Sequence, residues 1–259
     1  NCGIHHVQDA ETKEVVLDQC EYVSQIMTIP PSEYQSMSDE TDCTESAHAF
    51  YWSVLGAIAY SLLTRPDIAV FVGNLQRYSQ KPKVIHAKRL NAVVRWAQRN
   101  PKKLLYRRLS ESNAVGKVSG THLRMYSDAA FKKEETTGHS MRGAIYMRCA
   151  GNKQENFVKS TKGHLIEYKN GAQRRVNRST FIAELQSACD CQDKGFLLAQ
   201  LLHESVTGQM SAAIGKELRD NGGYAVPMAL YIDALSVYAA VTATFVKIPA
   251  ENGALCHLL

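Results

Sequence analysis

The spacing of apolar positions predicts helices in the first half of the chain. Residues 84–100 carry apolar side chains four and three positions apart, which is the pattern of an amphipathic helix. The inward stripe of this helix consists of Leu90, Val94 and Ala97. Residues 48–63 are apolar on nearly all sides and predict a buried helix, and residues 68–79 predict another. The first half is therefore expected to form a small, mostly helical domain.

In the second half the apolar positions alternate, as in half-buried strands. Residues 123–128, 142–148 and 164–168 predict three strands joined as an antiparallel meander. Residues 181–203 predict a long helix, and residues 228–232 are apolar throughout, as in an interior parallel strand. The expected fold class is α/β: a mixed sheet of an antiparallel meander plus parallel strands, flanked by helices.

Polar segments suggest where the domains begin and end. Residues 110–120 contain two glycines and no periodicity, so we place the boundary there, with domains at 1–112 and 113–259. Residues 32–47 are rich in Ser, Asp, Glu and Thr and predict a surface loop. The chain stops within an apolar phrase at residues 255–259, so we expect the second domain to be truncated at its C-terminus.

The distribution of charge indicates a polyanionic partner. Of a net charge of +5, the stretch from Lys81 to Arg108 contributes ten Lys or Arg and no acid, which leaves −5 for the rest. Nucleic-acid backbone contact is the functional interpretation, and a solvated charged face is the alternative. The expected contact residues are Lys88, Arg95, Arg99, Lys102 and Lys103 here, and Arg174, Arg175 and Arg178 ahead of the long helix.

The composition of the chain indicates which cellular compartments are expected for the protein. No apolar run reaches the roughly 18 to 20 residues of a membrane-spanning helix, so no membrane partner is expected. Seven cysteines are scattered without the spacing of a disulfide framework, which favours a reducing compartment. We expect an intracellular protein, in a cytoplasmic particle or the nucleus. The sequence does not indicate an oligomeric state.

Three acids stand at positions suited to metal binding. Asp128 and Asp233 end short strands, and Glu184 lies near the start of the long helix. Converging carboxylates are what a two-metal nuclease needs, because Mg²⁺ prefers oxygen ligands. The alternative for each is structural: a turn or cap residue for the aspartates, and an exposed helix residue for Glu184. The nearby acids Glu167 and Asp190 are expected to be solvated charges.

Four phrases, taken in order, carry a family resemblance: Ser53 to Tyr60 (SVLGAIAY), Thr64 to Ala69 (TRPDIA), Tyr126 to Ala129 (YSDA) and Ser179 to Glu184 (STFIAE). Together they resemble the Pol polyprotein of copia-type LTR retrotransposons. The resemblance extends from about residue 3 to the end of the chain. It implies the C-terminal, thumb- or connection-like part of a reverse transcriptase followed by an RNase H domain.

The resemblance also implies a site and its chemistry. Asp128, Glu184 and Asp233 match the catalytic acids that coordinate Mg²⁺, or Mn²⁺, for cutting the RNA strand of an RNA–DNA hybrid. The products of that reaction carry a 3′-hydroxyl and a 5′-phosphate. The implied partners are the hybrid and the palm and fingers of the reverse transcriptase. The tyrosine-x-aspartate-aspartate motif of the polymerase is absent from the sequence, so this chain is not expected to polymerise.

One departure from the family pattern keeps alternatives open. The family has a fourth acid after the third, and the nearest candidate here, Glu251, lies 18 residues after Asp233 with different flanking residues. A decayed, catalytically inactive remnant that only binds nucleic acid is therefore the second hypothesis. A third is a related nuclease, such as an integrase or resolvase core, although the thumb-like phrases ahead of Asp128 argue against it.

Overall fold

The chain folds into two compact units. The structure, a computed structural model, describes residues 3–109, 120–131, 138–151 and 162–243. Contacts between residues divide it into unit 1, Asn1–Arg107, and unit 2, Arg108–Leu259. The domain boundary at 112/113 that the sequence suggests lies outside the described residues. So do most of the predicted linker at 110–120 and most of the charged turn at 132–138.

Unit 1 is built on four helices around one hydrophobic core. They are α1 (Cys20–Ser24), α2 (Glu45–Tyr60), α3 (Ala69–Gln76) and α4 (Val84–Arg99). Helix α2 begins at an N-cap threonine, Thr44, whose side chain accepts a hydrogen bond from the Ala47 N–H. The predicted stripe of α4 is buried, as are Tyr51 of α2 and Val72 of α3. The helical part of the sequence prediction therefore matches unit 1 in the position of its core.

Unit 1 also contains a three-stranded antiparallel sheet, which the sequence predicted only in part. Its strands are β1 (His5–Gln8), β2 (Val15–Asp18) and β3 (Lys103–Tyr106), in the order β1-β2-β3. Residues 14–17 predict a strand, which corresponds to β2, whereas the sequence pattern does not predict β1 and β3. Strand β3 lies inside the basic stretch. Its four residues alternate between exposed and half-buried, but the high positive charge of the stretch favoured a charged surface rather than a strand.

The acidic loop at residues 32–47 is attached to the basic stretch. It opens with a single 3₁₀ turn, Pro31–Glu33, and it ends where α2 begins. Three of its acids form ion pairs with lysines at or before α4: Asp39 with Lys88 at 2.6 Å, Glu40 with Lys83 at 2.7 Å, and Asp42 with Lys81 at 3.0 Å. The loop is a surface segment as expected, and its acids offset part of the charge that the sequence assigned to a polyanion.

Unit 2 contains a four-stranded mixed sheet. Its strands are β4 (Thr121–Ala130), β5 (Met141–Ala150), β6 (Gly163–Ala172) and β7 (Met228–Ile232), in the order β6-β5-β4-β7. Strands β4, β5 and β6 form an antiparallel meander, and β7 pairs with β4 in parallel. The prediction of a mixed sheet that combines a meander with a parallel strand is confirmed.

The described part of unit 2 also contains three helices: α5 (Thr180–Thr207), α6 (Ala212–Asn221) and α7 (Leu235–Val241). Helix α5 packs closely on β4 because Gly195 leaves room for the buried side chain of Met125. A Cβ built on Gly195 would stand 2.1 Å from the Met125 sulfur. The hydroxyl of buried Tyr146 on β5 donates to the Cys191 carbonyl of α5. Among the described helices of both units, none combines the length and apolar character that a bilayer crossing needs.

Candidate metal centre and basic surfaces

Parallel pairing of β4 and β7 brings two aspartates to the same edge of the sheet. The register pairs Ser127 of β4 with Ile232 of β7. Asp128 is the next residue of β4, and Asp233 directly follows β7, so the two aspartates occupy adjacent positions. Both side chains are exposed. Strand ends are rigid supports for functional groups, because ladder hydrogen bonds fix the backbone on at least one side.

Glu184 reaches the same place from α5. The helix begins after Ser179, whose side chain accepts a hydrogen bond from the Ile182 N–H at 3.3 Å. Ile182 and Leu185 are buried against Val237 of α7, and Ile232 at the end of β7 packs on the same cluster. This cluster fixes the orientation of the first turns of α5, and with them the position of the Glu184 carboxylate.

Ser187 connects α5 to the strand that carries Asp128. Its hydroxyl donates to the backbone carbonyl of Asp128 at 3.0 Å and accepts from the Ser127 hydroxyl at 2.9 Å. Both serines are buried. Ser187 lies three residues after Glu184, so it stands above it on the same helix face. The sequence analysis did not select Ser187, although this spacing was its one available signal.

The three acids form a compact group. One carboxylate oxygen from each of Asp128, Glu184 and Asp233 lies within 4.8 Å of the others. Glu184 is only 8% exposed. Within the described residues none of the three forms an ion pair with a Lys, Arg or His side chain. The sequence placed these acids on a strand, a helix and a strand, and the fold brings all three together.

The electrostatic environment of the three acids changes the pKa of Glu184. Burial, followed by the negative charges of Asp128 and Asp233, raises the pKa of Glu184 to about 7. The backbone N–H of Ala129 donates to its carboxylate and opposes this rise. The site therefore holds acids close together, and no cation among the described residues forms an ion pair with them. A carboxylate with a strongly raised pKa in such a group is typical of functional sites.

The chemistry of the donor set fits a hard divalent cation. All three donors are carboxylate oxygens, with no thiol and no imidazole among them, and Mg²⁺, Mn²⁺ and Ca²⁺ prefer oxygen ligands. A cation bound here would relieve the repulsion that raises the pKa of Glu184. The group could therefore hold a metal ion. Glu251, the candidate fourth ligand, lies outside the described residues.

The three arginines ahead of α5 are displayed on a fixed loop. Arg174, Arg175 and Arg178 are exposed, and none forms an ion pair with a described residue. Gln173, which precedes them, and Asn177, which lies between Arg175 and Arg178, are buried and hydrogen-bonded to each other. The Gln173 side chain also donates to the Ala183 carbonyl of α5 at 2.7 Å. The loop thus presents its positive charge outward from an anchored backbone.

The basic residues predicted in unit 1 fall into two groups. Lys88, Lys102 and Lys103 are held in ion pairs, with Asp39 at 2.6 Å, Asp67 at 3.4 Å and Asp18 at 3.3 Å respectively. Arg95 and Arg99 are exposed on α4 and form no ion pair with a described residue. A phosphate would have to compete with an acid for the first group but not for the second. All five remain predicted contacts.

Comparison of the chain with protein-family models, curated proteins and solved structures found no match. The retrotransposon family suggested by the four sequence phrases therefore stays a prediction. The geometry of unit 2 supports a narrower statement. A mixed α/β sheet holds three carboxylates, from Asp128, Glu184 and Asp233, in an arrangement that could bind a metal ion.

Proposed function

We propose that unit 2 is an RNase H-type endonuclease, which hydrolyses the RNA strand of an RNA–DNA hybrid with divalent metal ions. In this proposal unit 1 is the thumb-like, C-terminal part of a reverse transcriptase, and the chain is part of a copia-type Pol polyprotein. The observation that carries the proposal is the convergence of Asp128, Glu184 and Asp233 within 4.8 Å. In the mixed sheet, β4, the first strand of unit 2, lies beside β7, which runs parallel to it. This arrangement is compatible with the RNase H-like fold.

Each residue has a definite part in this proposal. Bound divalent ions supply an activated water and stabilise the oxygen that leaves phosphorus. Asp128 and Asp233 hold their carboxylates at the sheet edge, and Glu184 adds a third from the helix side. Glu184 must lose its proton to serve as a ligand, which its raised pKa resists at low pH. Ser187 is a positioning residue, since it acts by joining α5 to β4.

The exposed arginines favour a nucleic-acid substrate over a small phosphate ester. Arg174, Arg175 and Arg178 flank the start of the helix that carries Glu184. Arginines arrayed in this way suit successive backbone phosphates, and such contacts are independent of base sequence. The choice of a hybrid over other duplexes rests on the family resemblance alone.

A binding-only protein is the second candidate. Arg95, Arg99 and the three arginines ahead of α5 form no ion pair with a described residue, and they would bind nucleic acid whether or not the acids retain activity. This candidate predicts salt-sensitive binding without cleavage in any divalent ion. The two candidates differ only in the role of the three acids, so a cleavage assay separates them.

The test is a cleavage assay with the full chain in Mg²⁺ and in Mn²⁺. The substrates are a labelled RNA–DNA hybrid, duplex RNA, duplex DNA and single-stranded RNA. We expect cutting of the hybrid's RNA strand alone, with 3′-hydroxyl and 5′-phosphate ends. Hybrid RNA that stays intact while the folded protein binds it would select the binding-only candidate. Cutting of duplex DNA would indicate an integrase- or resolvase-like core instead.

A matched pair of variants tests whether any cleavage depends on the group formed by Asp128, Glu184 and Asp233. Asp128→Asn removes one carboxylate of the group without changing side-chain size. Asp220→Asn makes the same change at an exposed position of α6. We expect the first variant to lose cleavage while retaining hybrid binding, and the second to cut like the wild type. Equal activity in both variants would remove Asp128 from the reaction.

A further inference from the structure

Four basic side chains gather on the α5 side of the unit 2 sheet, and they come from β5, β6, the loop ahead of α5, and α5 itself. Arg142 lies on β5 directly opposite Ala129, the residue after Asp128. Lys169 lies on β6 opposite Ala144, which itself pairs with Ser127. Because Ser127 bonds to Ser187 of α5, this register places Lys169 on the face that α5 covers. We call Arg142, Lys169, Arg174 and Lys194 the basic groove.

The groove carries more positive charge than its own acids offset. Arg142 forms an ion pair with Asp190 of α5, and Lys194 forms one with Glu167 of β6 at 3.5 Å. Among the described residues, these four cations have two acidic partners in ion pairs. The sequence analysis treated Asp190 and Glu167 as solvated charges, whereas each has a basic partner. The partners come from different elements of the fold, so their spacing along the chain gave no indication of the pairing.

The cations are close enough to repel one another. Burial and then the charge of Arg174 lower the pKa of Arg142. Burial, followed by Arg142, Arg174 and Lys194 in that order, lowers the pKa of Lys169. The Arg142 side chain is only 13% exposed, and its Nε has no hydrogen-bond partner. An anion bound at this groove would relieve the repulsion, as a cation would at the acidic group beside it.

We propose that the basic groove binds phosphates of the nucleic-acid strand that neighbour the phosphate cut at the acidic group. This inference rests on the proposed function, and it names three residues, Arg142, Lys169 and Lys194, that the sequence did not single out. Neighbouring strands lie about 4.8 Å apart. Each phosphate advances a nucleic-acid strand by roughly 3.4 Å along its axis. Cations on successive strands of the sheet can therefore meet successive phosphates.

The rival interpretation is an internal ion-pair network with no ligand. In that case Asp190 and Glu167 serve only to hold α5 against β5 and β6. The two interpretations predict opposite results for Asp190→Asn. A phosphate site gains affinity when the competing carboxylate is removed, because Arg142 becomes free to bind. A structural network only loses stability, and it leaves nucleic-acid affinity unchanged or weaker.

The principal experiment measures how hybrid binding by the full chain depends on salt. Binding of a fluorescent RNA–DNA hybrid is followed by anisotropy in chelator, so that no cleavage occurs. The test variant is Lys169→Gln/Lys194→Gln, and the control is Lys216→Gln/Arg219→Gln on exposed positions of α6. We expect the plot of log affinity against log salt to flatten by about two for the test variant only. Equal slopes for the test and control variants would contradict the proposal that the basic groove binds phosphates.

Two further variants distinguish the loss of a phosphate contact from misfolding as the cause of weaker binding. Lys169→Arg/Lys194→Arg keeps the charge and should bind like the wild type, and a loss equal to that of the glutamine variant would contradict the proposal. Asp190→Asn should bind the hybrid more tightly than the wild type, and weaker binding by a folded variant would also contradict it. Parallel measurements on duplex DNA and single-stranded RNA identify the class of strand that the groove prefers.

The proposal that the basic groove binds phosphates and the proposal that unit 2 is a nuclease can be refuted separately. If the wild type binds through the groove but cuts no hybrid, the proposed nuclease activity is wrong and the groove stands. If the wild type cuts hybrid and the glutamine variant keeps both its salt slope and its rate, the groove is wrong and the nuclease stands.

Discussion

The acids of the two units are used in opposite ways. In unit 1 the acidic loop and the basic stretch neutralise each other, with lysine nitrogens 2.6 to 3.0 Å from the carboxylates of Asp39, Glu40 and Asp42. In unit 2 three acids approach one another within 4.8 Å, and no basic side chain among the described residues forms an ion pair with any of them. Charges that pair within the fold need no ligand, whereas three carboxylates brought together could hold a metal ion.

The pKa shifts express the same contrast. A hydrogen bond from Lys83 and its positive charge hold the pKa of Glu40 below its usual value. Burial and two neighbouring carboxylates raise the pKa of Glu184 to about 7. Burial and the neighbouring acids disfavour the charged form of the Glu184 carboxyl, and a bound cation would stabilise that form. The comparison therefore points to unit 2 as the unit that carries the chemistry.

The largest expected difference between the units is in cleavage. Asp128→Asn should lower the single-turnover rate of hybrid cleavage by on the order of 10³-fold, because it removes a ligand from the acidic group. Asp39→Asn makes the same change in unit 1 and breaks only an exposed ion pair. Its rate should equal that of the wild type. Comparable losses in both variants would abolish the distinction between the two sets of acids.

Folding stability without metal should depend on pH through Glu184. Between the pKa of an unfolded glutamate, about 4.5, and the folded value of about 7, the folded chain binds more protons at this carboxyl. The free energy of unfolding therefore falls as pH rises through this window, by up to about 3 kcal/mol. Glu184→Gln should remove this part of the dependence, so that the variant is more stable than the wild type at pH above about 7.

Denaturant unfolding of the full chain in chelator measures this effect. The matched control is Glu204→Gln, at an exposed position near the end of the same helix. The control should follow the wild type at every pH. If Glu184→Gln also follows the wild type, the carboxyl does not have the raised pKa on which the account depends.

Ser187→Ala should have a moderate effect on both stability and cleavage. It removes the buried hydrogen bonds that join α5 to Ser127 and to the Asp128 carbonyl, at a cost of about 1 kcal/mol. Because the Glu184 carboxylate would lose its fixed position, the cleavage rate should fall as well. Ser205→Ala, which removes an exposed hydroxyl bond within α5, is the control and should change neither quantity. A Ser187→Ala variant that cuts like the wild type would limit Ser187 to a structural role.

The smallest effect should distinguish the two groups of basic residues in unit 1. Arg95→Gln/Arg99→Gln should reduce the salt dependence of hybrid binding by up to about two units of slope, since these side chains form no ion pairs with described residues. Lys81→Gln/Lys83→Gln removes equal charge from residues that already pair with Asp42 and Glu40, so its effect should be smaller. A larger effect of the lysine variant would show that ion pairing does not withdraw these residues from binding.

The sequence predicted the acidic group because strand-end and helix positions follow from local periodicity. The alternation before Asp128, the apolar run before Asp233 and the cap at Ser179 each define an element, and the order of the elements makes convergence plausible. Ion pairs between distant segments have no such local signal. Asp39 and Lys88 are separated by 49 positions along the chain, and no periodicity relates them.

The register between strands is the other quantity that the sequence could not supply. Arg142 and Lys169 belong to one groove only because β5 pairs with β4, and β6 pairs with β5, in a particular alignment. Strand β3 was missed for a related reason: its four residues are stable only through their pairing with β2, far earlier in the chain. Local pattern determines the elements, and long-range pairing determines which side chains meet.

We propose that Asp128, Glu184 and Asp233, which form no ion pair with a described residue, bind a divalent cation. The most direct test is a titration of the full chain with Mn²⁺ at pH 8, in which electron paramagnetic resonance measures the free ion. The account predicts that the wild type and Asp39→Asn bind Mn²⁺ alike, and that Asp128→Asn loses this binding. Equal Mn²⁺ affinity and stoichiometry in Asp128→Asn and the wild type would contradict it.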